Sequence, residues 1–189
     1  MTEPQNSDIS NSAARRPKYD VPSGVIIRAV EPEDATGVTA LANLPGYRWG
    51  TMRLPYQSVS ATREKMWTGG TGLVGLVAVQ EDKIVGMATL RRFEGRRSHV
   101  GTIGMGIHDA YVGKGIGTAL LSALVDVADD WWALRRVELT VNADNTRAIN
   151  LYKRMGFEQE GLLRDYALRG GVFVDAISMA RLRGSAIHT

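Results

Sequence analysis

Residues 111–118, Tyr-Val-Gly-Lys-Gly-Ile-Gly-Thr, set glycines at 113, 115 and 117 directly ahead of an apolar run. Ile116, Leu120, Leu121, Leu124, Val125, Ala128 and Trp131 recur close to every 3.6 residues, which predicts a helix over 115–134. A β-like run at 102–107 comes shortly before. A glycine-rich turn between a strand and a helix N-terminus presents backbone N–H groups, and the helix dipole adds positive potential. The chain is thereby expected to hold a phosphate or pyrophosphate at this turn.

Two nucleotide motifs fail on spacing. A phosphate loop of the form G-x-x-x-x-G-K-[ST] would need glycine where His108 stands and Ser or Thr where Gly115 stands. A dinucleotide fingerprint G-x-G-x-x-G read from Gly113 meets its third glycine one position early, at Gly117, and read from Gly115 it meets Leu120. What remains is Gly115-x-Gly117 opening a long helix.

That loop resembles the acyl-CoA pyrophosphate loop of the GCN5-related N-acetyltransferases (GNAT), usually [Gln/Arg]-x-x-Gly-x-[Gly/Ala]. Val112 departs from the usual Gln or Arg. A second segment, 137–157, is similar to the family's other signature: a strand, then Asn-x-x-Ala-x-x-x-Tyr, then a Gly-Phe exit. Asn145, Ala148, Tyr152, Gly156 and Phe157 match it in turn. The resemblance covers roughly residues 25–181. Arg97-Ser-His-Val, Glu138-Leu-Thr-Val and Tyr166-Ala-Leu-Arg resemble the bacterial L-amino-acid N-acetyltransferase branch.

The resemblance implies an α/β (α+β) GNAT fold. Its mixed, mostly antiparallel central sheet has about seven strands, splays between strands 4 and 5, and carries helices on both faces. The residues give a compatible order. A strand is expected at 25–30 and a helix from Pro32 to about Asn43. An irregular segment at 44–60 and a helix to Trp67 follow. A hairpin is expected at 73–93, a strand at 99–107 and the long helix at 115–134. A strand at 136–141, a helix at 146–155 and a final hairpin turning at Gly170-Gly171 complete it. Gly101, Gly104 and Gly106 in the fourth strand are expected to mark a bulge or a close approach by another group. The expected division is a disordered tail at 1–22, one N-acetyltransferase domain at 23–182 and a short tail at 183–189.

The 189 residues suit a single domain with a full core. There is no cysteine, hence no thiolate nucleophile and no disulfide framework. A formal net charge of +3 gives no argument for nucleic acid. No apolar run reaches membrane-spanning length, and the N-terminus has no apolar core of a secretory signal, so a cytoplasmic location is expected. His99, His108 and His188 lack ligand-like spacing, so no metal is expected.

Amide formation from a thioester needs a positioned neutral amine, a donor for the developing oxyanion and a proton for the departing thiolate. The resemblance makes Tyr152 that proton donor, with simple packing at a helix end as the alternative. Gly113, Lys114, Gly115, Ile116, Gly117 and Thr118 are expected around the pyrophosphate. Ile107 is expected to pair its backbone with the pantetheine arm. Asn145 is read as a second pantetheine contact, as a helix N-cap, or as both. Arg53, Arg97 and His99 are candidates for the substrate, since arginine pairs naturally with a carboxylate. Tyr47, Trp49 and Tyr56 are read as a substrate lid or as a small core under a loop. No general base stands out; Glu138 reads as structural.

The reading is an acetyl-CoA-dependent N-acetyltransferase of a small primary amine, an amino acid, acting by direct attack without a covalent enzyme intermediate. The branch resemblance implies a homodimer. A protein N-terminus or lysine as acceptor, and a CoA-binding sensor with little catalysis, remain the alternatives.

Overall fold

The structure, a computed structural model, describes residues 20–67 and 70–184. The strands are β1 (Val25–Ala29), β2 (Leu73–Gln80), β3 (Lys83–Arg92), β4 (Val100–Ile107), β5 (Arg136–Asn142), β6 (Glu158–Arg169) and β7 (Val172–Leu182). The helices are α1 (Ala35–Ala42), α2 (Pro45–Gly50), α3 (Val59–Trp67), α4 (Ile116–Asp126) and α5 (Thr146–Arg154). The strands form one sheet in the order β1-β2-β3-β4-β5-β7-β6. All neighbours are antiparallel except β4 and β5. The expected tails at 1–22 and 183–189 fall largely outside the described residues.

Local rules account for the tight connections. Glu81 and Asp82 join β2 to β3 and both adopt positive φ, the twist that suits a two-residue hairpin loop. Gly170 and Gly171 do the same between β6 and β7. Proline at the start of the Pro32–Asp34 turn, with Arg28 bonded to both Asp34 oxygens at 2.7 and 2.8 Å, fixes the entry to α1.

Two apolar layers cover the sheet. On one face, Ile116, Leu120, Leu121 and Leu124 of α4 pack with Leu90, Ile103, Val137, Leu139, Val141, Tyr152 and Phe157. On the other face, Val38, Leu41 and Ala42 of α1 join Tyr47, Met66, Val77 and Met87. Burying Leu120, Leu121 and Leu124 completely stabilises the fold by about 2 kcal/mol each.

β4 and β5 pair only at Val100↔Arg136, Gly101↔Val137 and Thr102↔Glu138. Beyond these three pairs the strands part, and the sheet is splayed as expected. The closed end is fastened by ions. Glu138 accepts from Arg97 at 2.6 Å and from Arg136 at 2.9 Å, and Arg136 reaches on to Glu160. Burial alone would raise the Glu138 carboxyl, but the Arg136 and Arg97 bonds outweigh it and hold it below its ordinary range.

Three expectations are corrected. The segment 44–60 is not wholly irregular, because Pro45–Gly50 is a helix. Pro45 and Gly46 suggest a break, but proline suits the first helical turn, and the Asp109 carboxylate accepts from the Gly46 N–H at 2.8 Å. The long helix is α only to Asp126. It loosens into a π turn, Val127–Trp131, where the Trp132 N–H donates to the Val127 carbonyl and Arg181 grips Asp129 at 2.8 Å. β4 contains no bulge, since its register against β3 is unbroken from Gly101 to Ile107. Its glycines serve close approach instead. A Cβ on Gly106 would lie 2.3 Å from the Tyr47 ring.

Candidate active site

The open end of the β4–β5 slot is where the two glycine-signature segments meet. α4 starts at the mouth of the slot. Gly113 and Gly115 have φ of 84° and 81°, a left-handed backbone that side chains resist. This turn leaves the amides of residues 112–118 with no backbone acceptor among the described residues. Seven consecutive N–H groups in the turn and the first helical residues suit an anion. Val112 offers no polar group, and the cradle does not depend on one.

The expected cradle residues are brought together, each in its own way. Ile116 points into the core and offers only its backbone. Thr118 is exposed in the first turn. The Lys114 ammonium sits 4.7 Å from the Tyr111 ring centre. Gly117 lets α4 approach its neighbours, for a Cβ there would lie 3.3 Å from Leu151 and 3.7 Å from Ile107. Ile107 and Leu151 therefore flank the helix start, and the parted edge of β4 runs toward it.

Tyr152 lies on α5, on the same sheet face as α4, with only 7 % of its surface exposed. Its ring is 5.9 Å from that of Phe157. Burial pushes its phenol up to about 12, so it carries its proton throughout the neutral range. Asn145 caps α5, its side-chain oxygen accepting from the Ala148 N–H at 3.2 Å. Its amide nitrogen faces Gly50.

The opposite sheet face holds the remaining candidates. Tyr47 of α2 lies against Gly106 of β4. Burial raises its phenol, opposed by the nearby Arg53 charge. Arg53 lines a cleft of about 570 Å³ beside the slot, bounded by β2, β3, α1 and α3. Arg97 and His99 are not brought to this end. They precede β4 at its closed end, where Arg97 pairs with Glu138 and covers the Phe93 ring at 4.2 Å. Trp49 and Tyr56 are exposed, with Tyr56 95 % open, so only Tyr47 of the three aromatics belongs to a core.

Two further slot residues are not among the expected site residues. Asn142 ends β5, is 2 % exposed and donates to the Trp49 carbonyl at 3.2 Å. Arg169 ends β6, donates to the same carbonyl at 3.2 Å, stacks 4.5 Å from the Trp49 ring and pairs with Asp144. The signal for Asn142 is parity. Val137, Leu139 and Val141 face α4, so residue 142 must face the other side. Arg169 is signalled only as the last residue of the branch-like Tyr166-Ala-Leu-Arg run, just before Gly170-Gly171.

A central sheet parted at one end, with a free-amide turn at the opening, offers an extended, anion-bearing molecule a place between two strands. Residues 41–157 match the family described as acetyltransferase (GNAT) family. The chain is 34% identical over 162 residues to the L-amino acid N-acetyltransferase AaaT of Escherichia coli (strain K12), covering 85% of this chain and 99% of that protein. An acetyltransferase of GNAT family from Streptococcus pneumoniae superposes with a TM-score of 0.74 at 26% identity, over 85% of this chain and 99% of that one. The spermidine N-acetyltransferase from Vibrio cholerae in complex with CoA and spermine shares the fold, with a TM-score of 0.75 at 23% identity, over 85% of this chain and 96% of that one. The chain belongs to the GNAT family and is an acetyl-CoA-dependent N-acetyltransferase.

Proposed function

We propose that the acceptor is the primary amine of an amino acid, and that the slot between β4 and β5 is where transfer occurs. The observation that carries this is the full-length likeness to an L-amino acid N-acetyltransferase, joined to an arginine-bearing cleft beside the slot. When bound, acetyl-CoA supplies an activated acetyl carbonyl that an amine attacks directly. The unpaired amides of 112–118 fit its pyrophosphate, with Gly113, Gly115 and Gly117 keeping side chains out of the way. Lys114 adds positive charge and Thr118 a hydroxyl. The free edge of β4 near Ile107 pairs with the pantetheine as an added strand would. The Asn145 oxygen is engaged as a cap, which leaves its amide nitrogen as the group that donates to the pantetheine.

The amine nitrogen forms the new C–N bond as the C–S bond breaks. Tyr152 gives its proton to the departing thiolate, and water takes the proton released by the amine. Proton transfer of this kind contributes about 10²–10⁴-fold. Arg53 meets the acceptor carboxylate. Arg97 and His99 take no part in this reading. The enzyme is taken to be cytoplasmic and, on its likeness to the amino-acid branch, a homodimer.

A thiol-release assay with acetyl-CoA against amino acids, polyamines and peptides tests the reading. Release with amino acids is expected. Release with peptides alone moves the acceptor to a protein terminus or lysine. No release with any amine leaves a CoA sensor.

A further inference from the structure

We propose that the cleft beside the slot binds a second anionic group on the acceptor, so that the preferred amino acid carries a negative charge at the far end of its side chain. This rests on the amino-acid reading above and narrows it.

The cleft has an apolar floor that includes Val38, Met66 and Met87, and three cations, Arg53, Lys65 and Arg91, among its lining residues. No Asp or Glu lines it among the described residues. Neither guanidinium, of Arg53 or of Arg91, makes a hydrogen bond or ion pair with a described residue. Two guanidiniums lining one concave site with no acid beside them focus positive potential, and an anion relieves it. Arginine meets a carboxylate in a two-bond fork that also fixes its orientation.

The cleft adjoins β4, one of the two strands that form the slot. Tyr47 lines it and lies on Gly106, and Thr89 lines it and donates to the Gly104 carbonyl at 3.4 Å. Arg53 stands at the Tyr47 end. Arg91 lies two residues beyond Thr89 on the same face of β3, about 7 Å further along. The α-carboxylate thus meets Arg53 near the slot, and a second anion several bonds from the amine reaches Arg91. A polyamine would bring cations to cations. A neutral side chain would leave Arg91 solvated.

L-Glutamate and L-glutamine have the same shape and differ in that one charge. The full chain with acetyl-CoA should show kcat/KM at least about tenfold higher for glutamate, mainly through KM. Arg91→Gln should bring glutamate down to the level of glutamine. Equal use of the two by the unmodified enzyme overturns the proposal, as does a preference that survives Arg91→Gln. Acetylation of neutral amino acids with glutamate refused removes the second anion but keeps the amino-acid reading. Failure with every amino acid removes both.

Discussion

Asn142 holds the backbone of Trp49 across the open end of the sheet. Its side-chain nitrogen lies 3.2 Å from the Trp49 carbonyl, and the carbonyl's acceptor character decides which way the amide faces. Since Trp49 belongs to α2 and Asn142 ends β5, this bond ties the helix that covers β4 to the far side of the slot. Arg169 donates to the same oxygen and anchors it from the final hairpin.

Arg169→Ala removes that second bond, the stacking on Trp49 and the pairing with Asp144 together. α2 should then sit loosely over the slot. The expected result is an acceptor KM raised about tenfold with CoA affinity within about twofold of the parent, since the groups lost amount to roughly 1–2 kcal/mol. Steady-state kinetics and a CoA titration check the pair of values.

Tyr152→Phe deletes the proposed proton donor and leaves a ring of the same shape in the same core. Turnover should fall by about 10²–10⁴-fold while CoA binds as before. A turnover within threefold of the parent would reduce Tyr152 to packing.

The same residue sets an alkaline limit on stability. Its phenol is raised to about 12 in the folded chain from about 10 in the unfolded one. Its contribution is therefore full below pH 10 and is lost as pH climbs from 10 toward 12, at about 1.4 kcal/mol per unit. Denaturant midpoints of the parent and of Tyr152→Phe should run parallel up to pH 10. Above it the parent should fall more steeply, by one proton.

Gly115→Ala and Gly113→Ala place a methyl on the same left-handed backbone, at a cost of about 1–2 kcal/mol each. Only at 115 does the new Cβ meet a neighbour, Pro22 at 3.3 Å. Both should weaken CoA binding, Gly115→Ala the more, with a loss of about tenfold or greater by calorimetry.

Gly106→Ala tests whether α2 must touch β4. The added Cβ would stand 2.3 Å from the Tyr47 ring, so the ring has to leave. A loss of about 2–4 kcal/mol of stability or a collapse of acceptor binding is expected, and thermal unfolding with kinetics separates the two.

The parts legible in the sequence are those fixed by the backbone itself. Gly113 and Gly115 announce a turn that other residues resist, and Asn145 announces a cap that its side chain makes. Strand parity and helix spacing likewise give β2 to β5 and α4. α2 is different, because its order comes from Asp109, 63 positions away from Gly46, and from the fit of Tyr47 to Gly106. The arginines are the hardest case. Arg53 and Arg97 look alike along the chain, yet Arg97 is claimed by Glu138 across 41 positions while Arg53 lines the cleft. Which charge finds a partner is decided by the folded sheet.

Three residue pairs join the two halves of the sheet, and that seam has a consequence for how the chain assembles. β1 to β4 are built from successive antiparallel neighbours, as are β6 and β7, whereas β4 reaches β5 only after the crossover through α4 is in place. Closing a parallel contact over such a loop comes late. The seam is then the natural line of local opening, and amide protons around Gly101 and Val137 should exchange with deuterium ahead of those at Val77 and Met179.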